Sequence, residues 1–363
     1  MKNSIGNSLI LTIFGESHGA AVGAVLDGMA PGVEVDEDFI KLQMGLRKAS
    51  GEISTSRIEG DEVEILSGVF NGKTTGAPIA FLIRNNNTKS SDYEKTRALM
   101  RPGHADYTAN CKYHGFEDYR GGGHFSGRIT AGIVAAGSIV IEALRKKGIY
   151  IATHIKNLNS VYDDEIENYN DFARELCDKP FPVINDNAEI KMKEAILKAK
   201  AEGDSLGGIL ETVVIGVPKG VGEPWFSSVE GELASFLFSI PAIKGVEFGS
   251  GFAFSDMKGS EANDSFCFVD GNVETKSNNN GGVNGGITNG MPIVFSSVVK
   301  PTPSIAKEQR TINIDSKENA DLVISGRHDP AIIHRARVVV NAATALVIAD
   351  LLALRYGTDW LGE

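Results

Sequence analysis

The 363-residue chain carries 36 Lys and Arg against 47 Asp and Glu, a formal net charge of −11, so neither nucleic acid nor an anionic membrane is expected as a partner. With 42% hydrophobic residues it can bury one large core or two medium ones, and disorder of the whole chain is excluded. Cys111, Cys177 and Cys267 have neither C-x-x-C nor His-paired spacing, which argues against a disulfide framework and a structural zinc site and fits a reducing cytoplasm; no metal is expected.

The opening "MKNSIGNSLILTIFGESHG" has one lysine and a short apolar run from Leu9 to Phe14, too weak for a signal peptide. Residues 15 to 19, "GESHG", match the G-x-S-x-G pattern of a nucleophile elbow, with His18 beside Ser17. An elbow needs strands before it and a helix after it. Residue 17 stands too near the start, and the following "AAVGAVLDG" alternates as a strand does. The shared residues therefore read as a tight turn entering a strand, and a serine hydrolase using Ser17 stays as the alternative enzyme.

Further along, "RPGHADYT" (101 to 108) gathers Arg101, His104 and Asp106 around a Pro-Gly turn, which in isolation is an ordinary turn with a solvated charge cluster. "YRGGGHFSGR" (119 to 128) runs into "ITAGIVAAGSIVIEALRKKG", a predicted helix closed by Gly148. Its three glycines precede a helix start and are flanked by Arg120, His124, Ser126 and Arg128, so a phosphate cradle is expected there. Residues 157 to 202 are charged and Asn-rich and read as solvated helices and connections.

"SNNNGGVNGGITNG" (277 to 290) reads as a flexible polar loop, and the segment after it offers Lys300, Thr302 and Ser304 as donors for a phosphate. "ISGRHDPAIIHRAR" (324 to 337) sets Arg327, His328, Asp329, His334, Arg335 and Arg337 before an apolar helix, where basic residues oppose the macrodipole and a nearby anion would compensate. The 17-residue "VVVNAATALVIADLLAL" contains Asn341 and Asp350 and reads as a buried core helix, too short for an ordinary membrane span. Neither a Walker motif nor a convincing dinucleotide fingerprint occurs, and the histidines lack metal-ligand spacing.

The chain also repeats itself. "GESHGAAVGAVLDGMAPG" (15 to 32) aligns without a gap on "GDSLGGILETVVIGVPKG" (203 to 220), and "GKTTGAPIAF" (72 to 81) on "GITNGMPIVF" (286 to 295). Two ordered matches predict two halves of one architecture, approximately 8–150 and 200–356, within a single domain spanning 1–363. His18 becomes Leu206 in the second copy, so the imidazole is an addition to a shared scaffold.

Taken in order, "GESHG", "RPGHADYT", "YRGGG", "GDSLGG", "KGVEFGSGF", "NGGITNG", "KPTPSI" and "GRHDP" span residues 15 to 330, and on these motifs the sequence resembles chorismate synthase over nearly its whole length. The resemblance implies an α+β fold, a βαβ sandwich of two antiparallel sheets around a helical core with the internal pseudo-repeat, assembled as a homotetramer in the cytoplasm. It implies elimination of phosphate and a ring hydrogen from 5-enolpyruvylshikimate 3-phosphate to give chorismate. Reduced FMN is required without net redox change.

By the same resemblance, His18 would protonate the leaving phosphate, His104 would protonate reduced flavin near N1, and Asp329 would assist the proton at N5. Arg47, Arg57, Arg101, Arg128 and Arg327 would clamp carboxylates and phosphate. FMN contacts are expected from His124, Phe125, Ser126, Ala242, Gly285, Lys300, Pro301, Thr302, Pro303 and Ser304, with Arg327 beside them. The chain departs from the family where His124-Phe125-Ser126 replaces an arginine-serine-serine run, where "LRKASG" thins a double arginine, and at Pro241. An external flavin reductant is expected, with use of NADPH by the chain itself left open. Outside catalysis, the alternative is a flavin- or phosphate-binding protein.

Overall fold

The computed structural model describes residues 2–49, 51–54, 60–86, 97–176, 179–324 and 329–362, and combines helices with antiparallel sheets. In the first sheet, β1 (Ser4–Ile5), β2 (Ile10–Gly15), β3 (Ala21–Asp27), β4 (Val63–Ser67) and β5 (Ile79–Arg84) lie in the order β1-β2-β3-β5-β4. Each pairing is antiparallel. The expected strand after the GESHG turn is β3. Its register sets Val22, Ala24 and Leu26 opposite Ile83, Phe81 and Ile79, all completely buried, which makes one face of the sheet continuously apolar.

The second sheet contains β6 (Tyr150–Leu158), β7 (Val161–Tyr162), β8 (Gly208–Ile215), β9 (Ile243–Phe248) and β10 (Ile293–Val299), in the order β7-β6-β8-β10-β9 and again antiparallel throughout. Among the described residues, the helices of seven residues or more are α1 (Glu37–Arg47), α2 (Asp106–Tyr113), α3 (Thr130–Lys146), α4 (Tyr169–Glu175), α5 (Asp186–Ala201), α6 (Val229–Ser239) and α7 (Ile333–Tyr356). α3 packs on the first sheet and on α7, α7 packs on the second sheet, and α1 and α6 lie against α3 and α7 respectively.

Small residues let these elements approach closely. A Cβ on Gly132 of α3 would stand 2.8 Å from the Gly23 carbonyl oxygen of β3, and one on Gly137 would stand 2.5 Å from Ala342 Cβ of α7. A mid-helix glycine costs about 1 kcal/mol against alanine, here offset by dispersion contacts between touching backbones. The helical stretch Gly127–Lys146, which contains α3, and α7 are each long and apolar enough to cross a membrane, yet 89% and 94% of their apolar windows lie inside the fold. The polar residues of α7 have structural partners. Asn341 Oδ1 accepts from Thr153 Oγ1 at 2.6 Å, and Asp350 accepts the backbone N–H groups of Asn7, Ser8 and Leu9.

The segment 277 to 290 differs from the flexible loop expected. Asp264 accepts from Ser277 Oγ and from the N–H groups of Asn279 and Asn280, Asn278 ties Gly282 to Pro292, and a small hairpin pairs Val283–Asn284 with Ile287–Thr288. Asn and Gly serve a hydrogen-bonded turn here as readily as a flexible one. Within 157 to 202, α4 and α5 form as expected, with Phe172, Met192 and Ile196 turned inward.

Candidate active site

Arg101, Pro102, Gly103 and His104 form a tight turn closed by the His104 N–H on the Arg101 carbonyl at 3.2 Å, with Gly103 at φ +70°. Pro then Gly at the central positions is the signature of a type II turn. The turn folds the imidazole back over Arg101, and α2 begins at once with Asp106. That carboxylate accepts Arg101 Nε and Nη2, each at 2.7 Å, and sits 2.7 Å from His104 Nδ1. Burial opposes its ionisation, but the hydrogen bonds from His104 and Arg101 outweigh this and hold Asp106 far below the usual carboxylate range.

The glycine triplet approaches from the other side. Gly121, Gly122 and Gly123 all have positive φ, at +59°, +85° and +53°. A Cβ on Gly121 would lie 2.5 Å from His18 Cδ2, and one on Gly122 would lie 3.0 Å from His104 Cε1. Adjacent glycines thus back onto the two predicted catalytic imidazoles, a packing role in addition to the phosphate cradle expected. His18 is 7% exposed. Ser17 Oγ donates to the carbonyl oxygens of Arg120 and Gly121 at 3.1 Å, and Ser17 N–H donates to Gly123 at 3.1 Å, so this serine stitches the turn to the triplet. In the aligned turn, Ser205 Oγ likewise donates to a backbone carbonyl, that of Thr302, at 2.7 Å.

A cavity of about 1040 Å³ opens on this arrangement. Among the described residues lining it, eight are Lys or Arg and one, Asp329, is acidic, a reversal of the chain's overall charge. Arg47 and Arg128 reach it together because both bond the buried Asp61. Burial again opposes charge on Asp61, and the two guanidinium groups hold its carboxyl below the ordinary value. Asp118 grips Arg120 through two hydrogen bonds of 2.8 Å and is lowered chiefly by that contact.

The opposite wall comes from the second half. Lys300, Thr302, Pro303 and Ser304 line the cavity, with Lys300 Nζ donating to the Gly103 carbonyl. Ala242, in the left-handed region at φ +77°, lines it too, and its carbonyl accepts Lys300 N–H at 2.9 Å. His124, Phe125 and Ser126 also face the space, and His124 Nδ1 donates to the Gly15 carbonyl at 2.7 Å. Asp329 bonds Arg335, which supplies the anion that the basic helix start called for. His334 is buried beside Ser54 Oγ, and burial followed by the nearby Arg335 and Arg337 pushes it down to about 3, so it is neutral.

Three predicted site residues among those described are not in the cavity lining: His18 lies beside Ser17 and Gly121, which are, and two expected flavin contacts lie elsewhere. Pro301 packs on Gly207, and Gly285 sits at the tip of the Val283–Asn284/Ile287–Thr288 hairpin, away from the cavity lining. Arg57 and Arg327 fall outside the described residues. The sequence reading missed Asp61 and Asp118 and left Asp106 as part of a solvated cluster. Asp106 and Asp118 had a local signal, a carboxylate two positions from the partner it holds. Asp61 had none, because its partners stand 14 and 67 residues away.

A family model described as chorismate synthase matches residues 9–353. Chorismate synthase of Thermococcus gammatolerans is 47% identical over 351 residues, covering 96% of this chain and 97% of the relative. That of Dehalococcoides mccartyi is 46% identical over 358 residues, with 98% of each covered. A crystal structure of chorismate synthase superposes with a TM-score of 0.76 at 29% identity, covering 98% of this chain and 94% of that one. With GESHG, RPGHAD and the glycine triplet meeting at one cationic cavity, the chain belongs to the chorismate synthase family, carbon–oxygen lyases of the final step of the shikimate pathway.

Proposed function

We propose that this chain eliminates phosphate from 5-enolpyruvylshikimate 3-phosphate to give chorismate, with reduced FMN held beside the substrate. The observation that carries the reading is His104 on the wall of a cationic cavity, with His18 beside the lining residues Ser17 and Gly121, in a chain of net charge −11. A substrate with a phosphate and carboxylates needs such a local excess of donors.

The residues present fit FMN. The cavity stands at the upper end of the range for small-molecule sites, room for two ligands. Ile133, Ile243 and Val339 supply apolar walls, and Lys300, Thr302 and Ser304 supply donors. His124, Phe125, Ser126 and Ala242 would complete the holding set. Bound reduced FMN supplies the electron-rich ring that elimination at an unactivated carbon requires. The chain's own groups then manage protons and charge. His18 gives a proton to the departing phosphate, and anionic phosphate beside an imidazole favours its charged form. His104 presents its Nε2 edge, and Asp329, held by Arg335, takes part at the ring proton. Arg47, Arg101 and Arg128 orient the substrate, with Arg57 and Arg327 as further clamps.

The finer architecture belongs to the same reading: one domain over 1–363 whose halves, 8–150 and 200–356, are repeats forming a βαβ sandwich. Support comes from detail. Thr74 Oγ1 donates to Ala30 and accepts Val33 N–H, at 2.6 and 2.9 Å, and Thr288 does the same with Pro218 and Val221 at the same two distances. Trp225, Phe226, Phe252 and Phe268 are each at least 80% exposed, which favours the homotetramer, since soluble subunits rarely leave so many aromatics in water. A cytoplasmic location and an external flavin reductant complete the reading.

The test is anaerobic phosphate release with dithionite-reduced FMN. Wild type should release phosphate, and His18→Ala and His104→Ala should each fall at least ~10²-fold, the usual contribution of a positioned acid. Folded, FMN-binding wild type that releases none would leave the alternative, a flavin- or phosphate-binding protein.

A further inference from the structure

His104 cannot use its Nδ1 for two contacts at once. Asp106 Oδ1 lies 2.7 Å from that nitrogen and Arg101 Nη2 lies 3.2 Å from it. If Nδ1 were bare, its lone pair would face an ionised carboxylate at the shorter distance, a repulsive arrangement. If Nδ1 carries hydrogen it donates to Asp106, and Arg101 instead spends Nε and Nη2 on the same carboxylate, both at 2.7 Å. The second arrangement satisfies all three groups.

Asp106 is itself fixed. Its Oδ2 also accepts the backbone N–H of Arg101 at 3.1 Å, and its side chain is only 18% exposed. The carboxylate therefore meets guanidinium, imidazole and backbone together, with its position set by the first residue of α2 and the preceding turn. On the far edge of the ring, His104 Nε2 lies 3.2 Å from where a Gly122 Cβ would be. The imidazole is held at Nδ1 and bordered at Nε2.

We infer that Asp106 is a positioning residue for the reaction: it fixes His104 in the Nδ1–H form, reserving Nε2 for proton exchange at the cavity, and it locks Arg101 in the same step. The inference rests on the proposed elimination for its catalytic meaning. Its structural half stands alone, because the tautomer is a property of the chain without ligand. Asp106→Asn keeps the shape and removes the charge. With Arg101 still bonded to the amide oxygen, the new N–H₂ group would donate to Nδ1 and drive the proton to Nε2, the wrong tautomer for the task.

The experiment is magic-angle-spinning ¹⁵N spectroscopy of histidine-labelled full-length protein without flavin or substrate, with His104→Gln used to assign the resonance. Wild type should show a protonated Nδ1 on His104. Asp106→Asn should lose it, Asp106→Glu should restore it in part, and His18 should be unchanged in both. In turnover, Asp106→Asn should lower kcat ~10²-fold and shift its pH profile, while KM rises less, through the loosened Arg101. A wild-type His104 bearing its hydrogen on Nε2, or one indifferent to Asp106→Asn, would overturn the inference. The wild-type spectrum decides even if the asparagine variant does not fold. A tautomer that follows Asp106 in a protein that releases no phosphate would uphold the positioning and sink the elimination instead.

Discussion

Gly121 and Gly122 occupy positions where one methyl group would strike an imidazole. A Cβ at residue 121 meets His18 Cδ2 at 2.5 Å and Nε2 at 2.7 Å, closer than the 3.0 and 3.2 Å that a Cβ at 122 would make with His104. Both positions also need positive φ, which costs an L-residue roughly 1–2 kcal/mol. Gly122→Ala should therefore lose ~1–2 kcal/mol in denaturant titration and about tenfold in turnover, and Gly121→Ala should lose more of both. Equal, wild-type-like rates would show that neither imidazole depends on the triplet. The triplet was visible in the sequence as a turn before a helix. What it touches was not, because a glycine-rich turn reads alike whether a phosphate or an imidazole stands over it. The His104–Asp106 pair lay within three residues and was visible as a cluster, but its role depended on burial. A carboxylate in water is only a charge, and one 18% exposed between a guanidinium and an imidazole is a fixture.

On β6 and β8 the second sheet carries a charged cluster remote from the cavity. His154 is buried, with Nδ1 2.7 Å from Asp163 and Nε2 3.2 Å from Glu211, while Phe172 of α4 stands edge-on at 5.2 Å. Burial works against the imidazolium, and the two carboxylates overcome it, so the His154 pKa is raised, while those of Asp163 and Glu211 are lowered. A raised folded value means that the His154 contribution is complete below the unfolded value of roughly 6.5 and is lost as pH climbs through the folded one. The lowered carboxylates contribute above roughly 4 and lose their contribution on acidification. Thermal melts should show wild type weakening on the alkaline side, and His154→Gln should start about 3 kcal/mol less stable with that alkaline slope gone. An unchanged slope in the variant would place the titrating group elsewhere. None of this was legible from the sequence, where residues 157 to 202 read only as solvated charge and His154 had no setting. The repeat implied the strand that carries Glu211, but neither the strand of His154 nor the pairing of the two was legible. The repeat was legible at this scale because its glycines and threonines do geometric work: Gly28 and Gly216, and Gly32 and Gly220, share positive φ to within a few degrees.

At the scale of the whole molecule, α3 and α7 cross at Gly137 and Ala342, and their first turns, through Thr130, Ile133, Arg335 and Ala336, wall the cavity. Crossing and site are therefore coupled mechanically. A methyl on Gly137 would stand 2.5 Å from Ala342 Cβ and 2.7 Å from its Cα, so side-chain adjustment cannot relieve it and the helices must separate. Overpacking of this kind costs about 1–3 kcal/mol. Gly137→Ala should lower stability by that amount and also weaken FMN binding, measured by quenching of flavin fluorescence, since the shift reaches both cavity walls. Ala342→Gly alone should cost about 1 kcal/mol through helix propensity. Combined, the two changes return the lost space: the Cβ contact vanishes while the 2.7 Å approach to Cα remains, so the double variant should recover part of the loss, with a coupling of roughly 1–2 kcal/mol. If the double variant is additive and FMN affinity never moves, the crossing is local packing and the cavity is supported by the loops alone. If affinity returns with stability, the two central helices are the frame that holds the two halves of the site in register.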